Sequence, residues 1–153
     1  MRVCIGGTFD TLHKGHKLLI DKALQTGGKK GSVFIGVTTE NMSKIKGDIK
    51  SFRKRRKNIE KYLISKGYIN RTTIKEIFDK YGPSIEGNFD AIVVSPETKS
   101  TAEEINKKRQ QKGKKLLEIV QIPFVLANDD IPISSSRIRK KEIDENGIIL
   151  KTG

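Results

Sequence analysis

The residues best suited to chemistry lie together in one short run, GGTFDTLHKGH, at positions 6–16. Gly6 and Gly7 would let the backbone approach an anionic group without a Cβ in the way. His13 and His16 are three residues apart, so they can face the same site from one helical turn. The start of a helix also offers free N–H groups and a partial positive charge. The run therefore predicts a phosphate-binding loop.

Two plainer interpretations of this run stay open on the residues alone. It matches neither G-x-G-x-x-G nor G-x-x-x-x-G-K-[ST], so the glycines could form an ordinary turn and the histidines could lie on the surface. A zinc site is the other alternative, but the two histidines lack a convincing third ligand. We therefore expect no metal held by protein ligands alone.

A second run of the same chemical character lies near the other end, ISSSRIR at positions 133–139. Serines before a helix are ordinary N-caps. Their hydroxyls and the helix N–H groups can also hold phosphates, and arginine side chains can add charge-assisted hydrogen bonds. Two phosphate-binding helix starts far apart in sequence point to a nucleoside triphosphate more strongly than either does alone.

The elements that position these runs follow from the apolar pattern. Short, continuously apolar runs predict buried strands, and apolar residues at a spacing of three and four predict amphipathic helices. The strands are predicted at Arg2–Gly6, Ser32–Val37, Thr72–Ile77, Phe89–Ser95 and Leu116–Val125, and the helices at Gly15–Thr26, Ser51–Lys66, Thr101–Lys112 and Ser134–Ile143. This alternation predicts an α/β fold, a single Rossmann-like domain over 1–153 with a five-stranded parallel sheet and helices on both faces. The polar tail at 145–153 is expected to fray.

Composition limits the class of protein but does not identify its binding partner. The net charge of +13 attracts polyanions such as nucleic acids, acidic membranes or phosphorylated small molecules. The lone cysteine, Cys4, excludes an intrachain disulfide and sits in a predicted buried strand. No apolar run approaches the ~20 residues of a membrane span, and the N-terminus has no signal-peptide pattern. We expect a cytoplasmic protein without a membrane partner, and take a monomer as the working expectation.

The two runs together resemble the signatures of the nucleotidyltransferase superfamily, a glycine–threonine–phenylalanine–aspartate stretch with H-x-G-H and a distant I-S-S-T-x-I-R. Ser136 stands in place of the threonine and keeps the hydroxyl. The resemblance implies that His13 and His16 are catalytic, with Lys44 or Lys46 assisting. It implies acceptor binding by Thr8, Asp10, Lys44 and Arg55. It also implies ATP binding by Gly6, Gly7, Thr8, Phe9, His16, Ser134, Ser135, Ser136, Arg137 and Arg139.

The downstream sequence narrows the resemblance to the archaeal type of phosphopantetheine adenylyltransferase, and to the corresponding part of eukaryotic coenzyme A synthase. The similar stretches are VVSPET at 93–98, AEEINKKR at 102–109 and EIVQIPFVLANDDIPI at 118–133. They imply that Ser95, Glu97, Thr98 and Arg109 line the adenine and ribose side of the site. The implied substrates are ATP and 4′-phosphopantetheine, with Mg²⁺ carried by the ATP phosphates.

Two rival functions remain open. One is another member of the superfamily, transferring a cytidylyl or adenylyl group to glycerol phosphate, phosphocholine, NMN or FMN. The other is a basic RNA-binding module, which the charge alone would allow. Against this module, aromatic residues make up only 6% of the chain and no RNP-like run is present. We therefore expect no nucleic-acid partner.

Overall fold

The computed structural model describes residues 1–39 and 49–150. A parallel five-stranded sheet forms the centre of the molecule. Its strands are β1 Arg2–Gly7, β2 Ser32–Thr38, β3 Thr72–Ile77, β4 Ala91–Val94 and β5 Glu118–Gln121. The helices are α1 Lys14–Gly27, α2 Phe52–Lys66, α3 Lys99–Gln111 and α4 Ser135–Arg139, with single 3₁₀ turns at Ile69–Arg71 and Gly82–Ser84. The α/β fold predicted from the sequence is confirmed.

The strand order, β3-β2-β1-β4-β5, makes this a doubly wound sheet. The chain moves outward from β1 through β2 to β3 and then crosses back to place β4 on the other side of β1. The order therefore reverses between β1 and β4. Sheets of this kind bind ligands in the crevice outside the carboxyl ends of the strands at that reversal, so the fold itself selects the loops that follow β1 and β4.

Helices cover both faces of the sheet. Val3 and Ile5 of β1 pack into one apolar cluster with residues of α1 and α2, including Ile20 and Ile59. Cys4, the residue between them, belongs to a second cluster on the opposite face with Ala102 and Ile105 of α3. Alternate residues of a strand point to opposite faces, so burial of all three requires a sheet covered on both sides.

Local sequence sets most of the helix ends. The Ser51 hydroxyl accepts a hydrogen bond from the backbone N–H of Lys54 and caps α2. That helix ends at Gly67, whose φ of 73° lies in the left-handed region that glycine adopts without strain. Helix α1 ends before Gly28, whose φ is 79°. Among the described residues, no helix is both long and apolar enough to cross a membrane.

The structure differs from the sequence-based expectation in its last third. Strand β5 stops at Gln121, and although the Ile122 N–H still donates to the Val94 carbonyl, Pro123 has no N–H with which to continue the ladder. Helix α4 has only five residues, and the chain turns at Lys141, where φ is 60°.

The expectation of fraying from residue 145 does not match residues 145–150. The Glu145 carbonyl accepts from the Lys14 N–H at the start of α1, and the Leu150 N–H donates to the Glu142 carbonyl. Ile143 and Ile149 form an isolated antiparallel bridge. These bonds tie the segment to the loop after α4 and to the first helix.

Candidate active site

An open cleft lies at the carboxyl ends of β1 and β4. One wall is the β1–α1 loop with the first turn of α1, and a second is the start of α4. The segments after β4 and β5 also line it. The cleft gathers these residues predicted from the sequence: Gly6, Gly7, Thr8, Phe9, Asp10, His13, His16, Ser95, Glu97, Thr98, Ser134, Ser135, Ser136 and Arg139.

His13 caps the helix that it precedes. Its Nδ1 accepts hydrogen bonds from the backbone N–H groups of Gly15, at 3.0 Å, and His16, at 3.4 Å. An accepting Nδ1 carries no proton, so in the neutral ring the proton is on Nε2. Burial lowers the pKa of His13 to about 4. Neutral His13 can therefore offer an Nε2–H donor to an anionic oxygen in the cleft.

Gly15 makes room for this arrangement. A Cβ at position 15 would lie 2.8 Å from Cε1 of His13 and 3.0 Å from its Nδ1. The glycine of the H-K-G-H run is thus required by the close approach of the imidazole ring to the helix backbone.

The His16 ring makes a different set of contacts. Its Nδ1 is 2.9 Å from the Thr11 carbonyl oxygen, a contact that needs a proton on Nδ1, and 3.4 Å from the His13 N–H, which would need that proton absent. The ring also packs at a tilt against Phe9, with centroids 5.0 Å apart. Burial, followed by the effect of neighbouring His13, lowers the pKa of His16 to about 3. Both histidines are therefore neutral near pH 7.

Phe9 shapes the loop from within. It is 1% exposed and has a φ of 51°, a left-handed conformation that non-glycine residues rarely adopt. Burial of the aromatic ring holds this backbone conformation in place. The adjacent Thr8 hydroxyl accepts from that of Thr38 at the end of β2, at 3.2 Å.

Asp10 is buried, and both of its carboxylate oxygens are engaged. Oδ1 accepts from the backbone N–H of Lys50 at 2.9 Å, and Oδ2 accepts from Nη1 of Arg139 at 2.7 Å. The ion pair joins the two walls of the cleft. Asp10 is therefore committed to contacts within the protein, which differs from the predicted contact with an acceptor phosphate.

The second wall is a short capped helix. Ser134 adopts an extended conformation, and its hydroxyl accepts from the Arg137 N–H at 3.2 Å. Ser135 and Ser136 follow in the first turn and line the cleft. Backbone N–H groups at this helix start and Nε2–H of His13 at the start of α1 could together hold a chain of phosphates.

Three arginines predicted for the site do not line the cleft. Arg109 is 4% exposed and donates to the carbonyl groups of Ser84, Ile85, Gly87 and Lys115. Arg137 forms ion pairs with Asp129 and Glu142. Arg55 is fully buried and donates to the carbonyl groups of Thr8, Thr38 and Lys50. Each guanidinium contacts backbone carbonyl groups or acidic side chains, and the ligand contacts expected for these three residues stay predictions.

The remaining predicted residues fall in two places. The Thr98 hydroxyl contacts the Ser95 N–H at 3.1 Å and the Ser95 hydroxyl at 3.2 Å, so these residues form a compact turn after β4. Lys44 and Lys46 lie outside the described residues. The sequence did not point to an apolar side of the cleft, which consists of Leu19, Pro96, Ile122, Pro123, Phe124, Val125 and Ile133.

A second cavity adjoins the cleft. The two share Gly6, Gly7 and Thr98. This second cavity is mainly apolar and lies between the sheet and α3, with Phe34, Ile92 and Ile105 among its walls. Sequence analysis missed it, because its wall at 80–84 is set by the loop that Arg109 anchors. We call it the apolar cavity.

The doubly wound sheet and the two helix starts define a nucleotide-binding α/β protein of the nucleotidyltransferase class. A family model described as cytidylyltransferase-like matches residues 4–141. The chain belongs to this family, which confirms the superfamily inferred from the two signature runs.

The relatives narrow the comparison further. The chain is 44% identical over 151 residues to a phosphopantetheine adenylyltransferase of Methanosarcina barkeri, covering 98% of this chain and 93% of the relative. It is 40% identical over 151 residues to a protein of the same name from Archaeoglobus fulgidus, covering 98% and 100%. A crystal structure of a protein with unknown function from Archaeoglobus fulgidus superposes with a TM-score of 0.72 at 39% identity, covering 80% of this chain and 89% of that one.

Proposed function

We propose that this protein transfers the adenylyl group of ATP to 4′-phosphopantetheine, giving dephospho-coenzyme A and pyrophosphate. The observation that carries the proposal is that the two signature runs, at the starts of α1 and α4, line one cleft at the reversal of the sheet. The relatives named phosphopantetheine adenylyltransferase, which match nearly the whole chain, support this choice of reaction.

The cleft suits the triphosphate of ATP. Nε2–H of His13, the backbone N–H groups of Ser135 and Ser136 at the start of α4, and the guanidinium of Arg139 are donors, and phosphates are acceptors. Ser95, Glu97 and Thr98 stand at the end of the cleft beside β4, where they are available to the ribose and adenine. The apolar side formed by Ile122 and Phe124 suits a flat base.

The apolar cavity suits the second substrate. The arm of 4′-phosphopantetheine carries a gem-dimethyl group, two amides and a thiol, and only its phosphate is charged. An arm lying in the apolar cavity would bring that phosphate to Gly6 and Gly7, where the cavity joins the cleft. A free nucleotide or a small polar alcohol phosphate would leave this apolar surface uncovered. The cavity therefore favours 4′-phosphopantetheine over glycerol phosphate, phosphocholine and NMN.

The chemistry needs alignment and charge dispersal more than covalent help. An oxygen of the acceptor phosphate attacks the α-phosphorus, the bond from that phosphorus to the oxygen bridging the α- and β-phosphates breaks, and pyrophosphate leaves with both bonding electrons. The nucleophile is already an anion, so no general base is required. Donors aimed at the developing charge supply most of the rate enhancement in such a site. We assign this role to His13, and to His16 in the tautomer whose Nδ1 accepts from the His13 N–H and whose Nε2 carries the proton. Lys44 and Lys46 remain candidates for it.

We propose that Mg²⁺ enters on the ATP phosphates. No group of three or more histidine, cysteine, aspartate or glutamate side chains that could hold a metal occurs in the described part of the chain. Of the residues in 1–39 and 49–150, those that bring a carboxylate to the cleft are Asp10, which is paired with Arg139, and Glu97. This donor set fits an ion held mainly by phosphates and water, which would neutralise charge on the leaving pyrophosphate. The substrates are water-soluble anions, which supports a cytoplasmic location.

An acceptor screen tests the proposal. The purified protein is given ATP or CTP with 4′-phosphopantetheine, glycerol 3-phosphate, phosphocholine, NMN or FMN, and pyrophosphate is followed over time. We expect release with ATP and 4′-phosphopantetheine and at least ~100-fold less with the other pairs, because a hydrogen-bonding site can reject analogues by that factor or more. Preferred use of CTP or of another acceptor would overturn the assignment.

A further inference from the structure

The ion pair between Asp10 and Arg139 joins segments 129 residues apart in the chain. The Arg139 side chain is 19% exposed and the Asp10 side chain 2% exposed, and both residues line the cleft. An ion pair between exposed side chains contributes little. This one is different, because one partner is buried and the other faces the expected position of the triphosphate.

The carboxylate is itself fixed by a chain of contacts behind the loop. The Lys50 N–H donates to Oδ1 of Asp10, and Lys50 Nζ lies 3.2 Å from the Asp10 carbonyl oxygen. The Lys50 carbonyl in turn accepts from Nε of the buried Arg55 at 2.8 Å. The contacts with Lys50 therefore fix the Asp10 carboxylate, whose other oxygen, Oδ2, accepts from Arg139.

Charge determines which group can meet a phosphate. A buried carboxylate facing phosphates is costly unless a cation neutralises it. Arg139 supplies that cation, and a guanidinium has five N–H donors in one plane, of which the contact with Asp10 uses one. An arginine that is already held in place loses less rotamer freedom on binding a ligand than one that is free.

From these contacts we propose that Asp10 is a positioning residue, which holds the guanidinium of Arg139 ready for the triphosphate of ATP. The inference rests on the proposed adenylyltransferase function. Asp10 contacts neither substrate in this account. Arg137, two residues from Arg139 on α4, pairs with Asp129 and Glu142 and provides an internal comparison.

A double-mutant cycle tests the proposal by calorimetric ATP binding in the presence of Mg²⁺. Asp10→Asn keeps the size of the side chain and an acceptor for the Lys50 N–H, but removes the charge. We expect a ~10-fold weaker Kd for Asp10→Asn and ~30-fold for Arg139→Gln, the range of charge-assisted hydrogen bonds. In the double variant we expect no more loss than in Arg139→Gln alone, within twofold.

Arg137→Gln is the matched control. Combined with it, Asp10→Asn should cost the same ~10-fold in ATP affinity as it does in the otherwise unchanged protein, because Arg137 has other partners. A second cycle uses Asp10→Glu, which keeps the charge but displaces it. This cycle replaces the first if Asp10→Asn does not fold. Asp10→Glu should weaken ATP binding when Arg139 is present and have no effect when it is combined with Arg139→Gln.

Three outcomes would overturn the proposal. The first is an equal loss of ATP affinity from Asp10→Asn in the presence and absence of Arg139. The second is no loss of ATP affinity with either Asp10 variant. The third is tighter ATP binding by Asp10→Asn, which would mean that the ion pair competes with the nucleotide. ATP binding is measured without an acceptor. The cycle can therefore fail while the acceptor screen succeeds, and the screen can fail while the cycle succeeds.

Discussion

The imidazole rings of His13 and His16 are stacked, with their centroids 3.8 Å apart and their planes 18° apart. Two rings this close cannot both be charged without strong repulsion. The proximity of His13 contributes to the lowered pKa of His16. The pair therefore meets an incoming nucleotide as two neutral rings at the start of α1.

We expect His16→Ala to fold normally and to lower turnover by ~10²–10³, the scale of removing one donor aimed at developing charge. Turnover is measured as pyrophosphate release at saturating ATP and 4′-phosphopantetheine. The matched control is Lys17→Ala, because the Lys17 ammonium lies 5.6 Å from the centroid of the Tyr62 ring, outside the cleft. That variant should stay within twofold of the unchanged protein. Near-normal turnover by His16→Ala would remove His16 from the mechanism.

The same two histidines predict a pH dependence of stability. In the folded protein their pKa values are lowered to about 4 and about 3, mainly by burial, against about 6.5 for an unfolded histidine. Between these limits the unfolded chain binds more protons, so stability is complete above pH ~6.5 and falls as the pH is lowered toward 4. The slope approaches about 1.4 kcal/mol per pH unit for each histidine. Denaturant titrations of His13→Gln and His16→Gln should each show a shallower loss, and an unchanged slope would contradict the burial argument.

Gly15→Ala separates activity from stability. Alanine favours a helix by about 1 kcal/mol over glycine, but its Cβ would lie 2.8 Å from the His13 ring and displace it. Displacing His13 also removes its cap on α1, which costs about as much as the alanine contributes, so we expect a fold within ~1 kcal/mol of the parent. Turnover should fall by ~10-fold or more, since misplacing a catalytic group by an ångström can cost more than that.

Gly27→Ala at the other end of α1 is the control for Gly15→Ala. A Cβ at Gly27 meets its nearest atom, the Met1 carbonyl oxygen, at 3.5 Å, which is an ordinary contact. Turnover by this variant should be unchanged. If Gly15→Ala were as active as Gly27→Ala, the close approach of His13 to the helix would not matter for catalysis.

Arg109 should affect the binding of the acceptor rather than the binding of ATP. It holds the Ser84, Ile85 and Gly87 carbonyls, which belong to the loop that walls the apolar cavity. We expect Arg109→Ala to lower the free energy of unfolding by about 2–4 kcal/mol, because several buried carbonyls lose their donor. At a temperature where the variant is folded, the KM for 4′-phosphopantetheine should rise and the Kd for ATP should not. Exposed Lys107→Ala is the control, and a rise confined to the Kd for ATP would contradict this placement.

Much of the fold followed from local signals. The alternation of apolar runs, with glycines after α1 and α2, predicted the parallel sheet and most element bounds to within a few residues. The ends of β5 and α4 were missed. Pro123 stops one ladder. A left-handed turn at Lys141, a non-glycine residue, ends α4 through hydrogen bonds from the Lys141 and Glu142 N–H groups to the Ile138 and Arg137 carbonyls, and periodicity does not predict it.

The candidate site was predicted in part, and the contacts that the sequence did not predict share a cause. The two signature runs identified the walls of the cleft because helix starts and hydroxyls are local features. Arg55, Arg109 and Arg137 were assigned to ligands, yet each binds carbonyl or carboxylate groups brought together only by folding. The apolar cavity and the ion pair between Asp10 and Arg139 also arise from residues distant in sequence. A single sequence contains no signal for such pairings.

Adenylyl transfer is tested most directly by following a labelled α-phosphate of ATP into the product. The protein is incubated with ATP labelled at the α-phosphate, Mg²⁺ and 4′-phosphopantetheine, with unphosphorylated pantetheine as the control. We predict that the label appears in dephospho-coenzyme A, that pyrophosphate is unlabelled, and that pantetheine gives no product. Label remaining in ATP, or appearing in ADP through transfer of the γ-phosphate, would contradict adenylyl transfer by this protein.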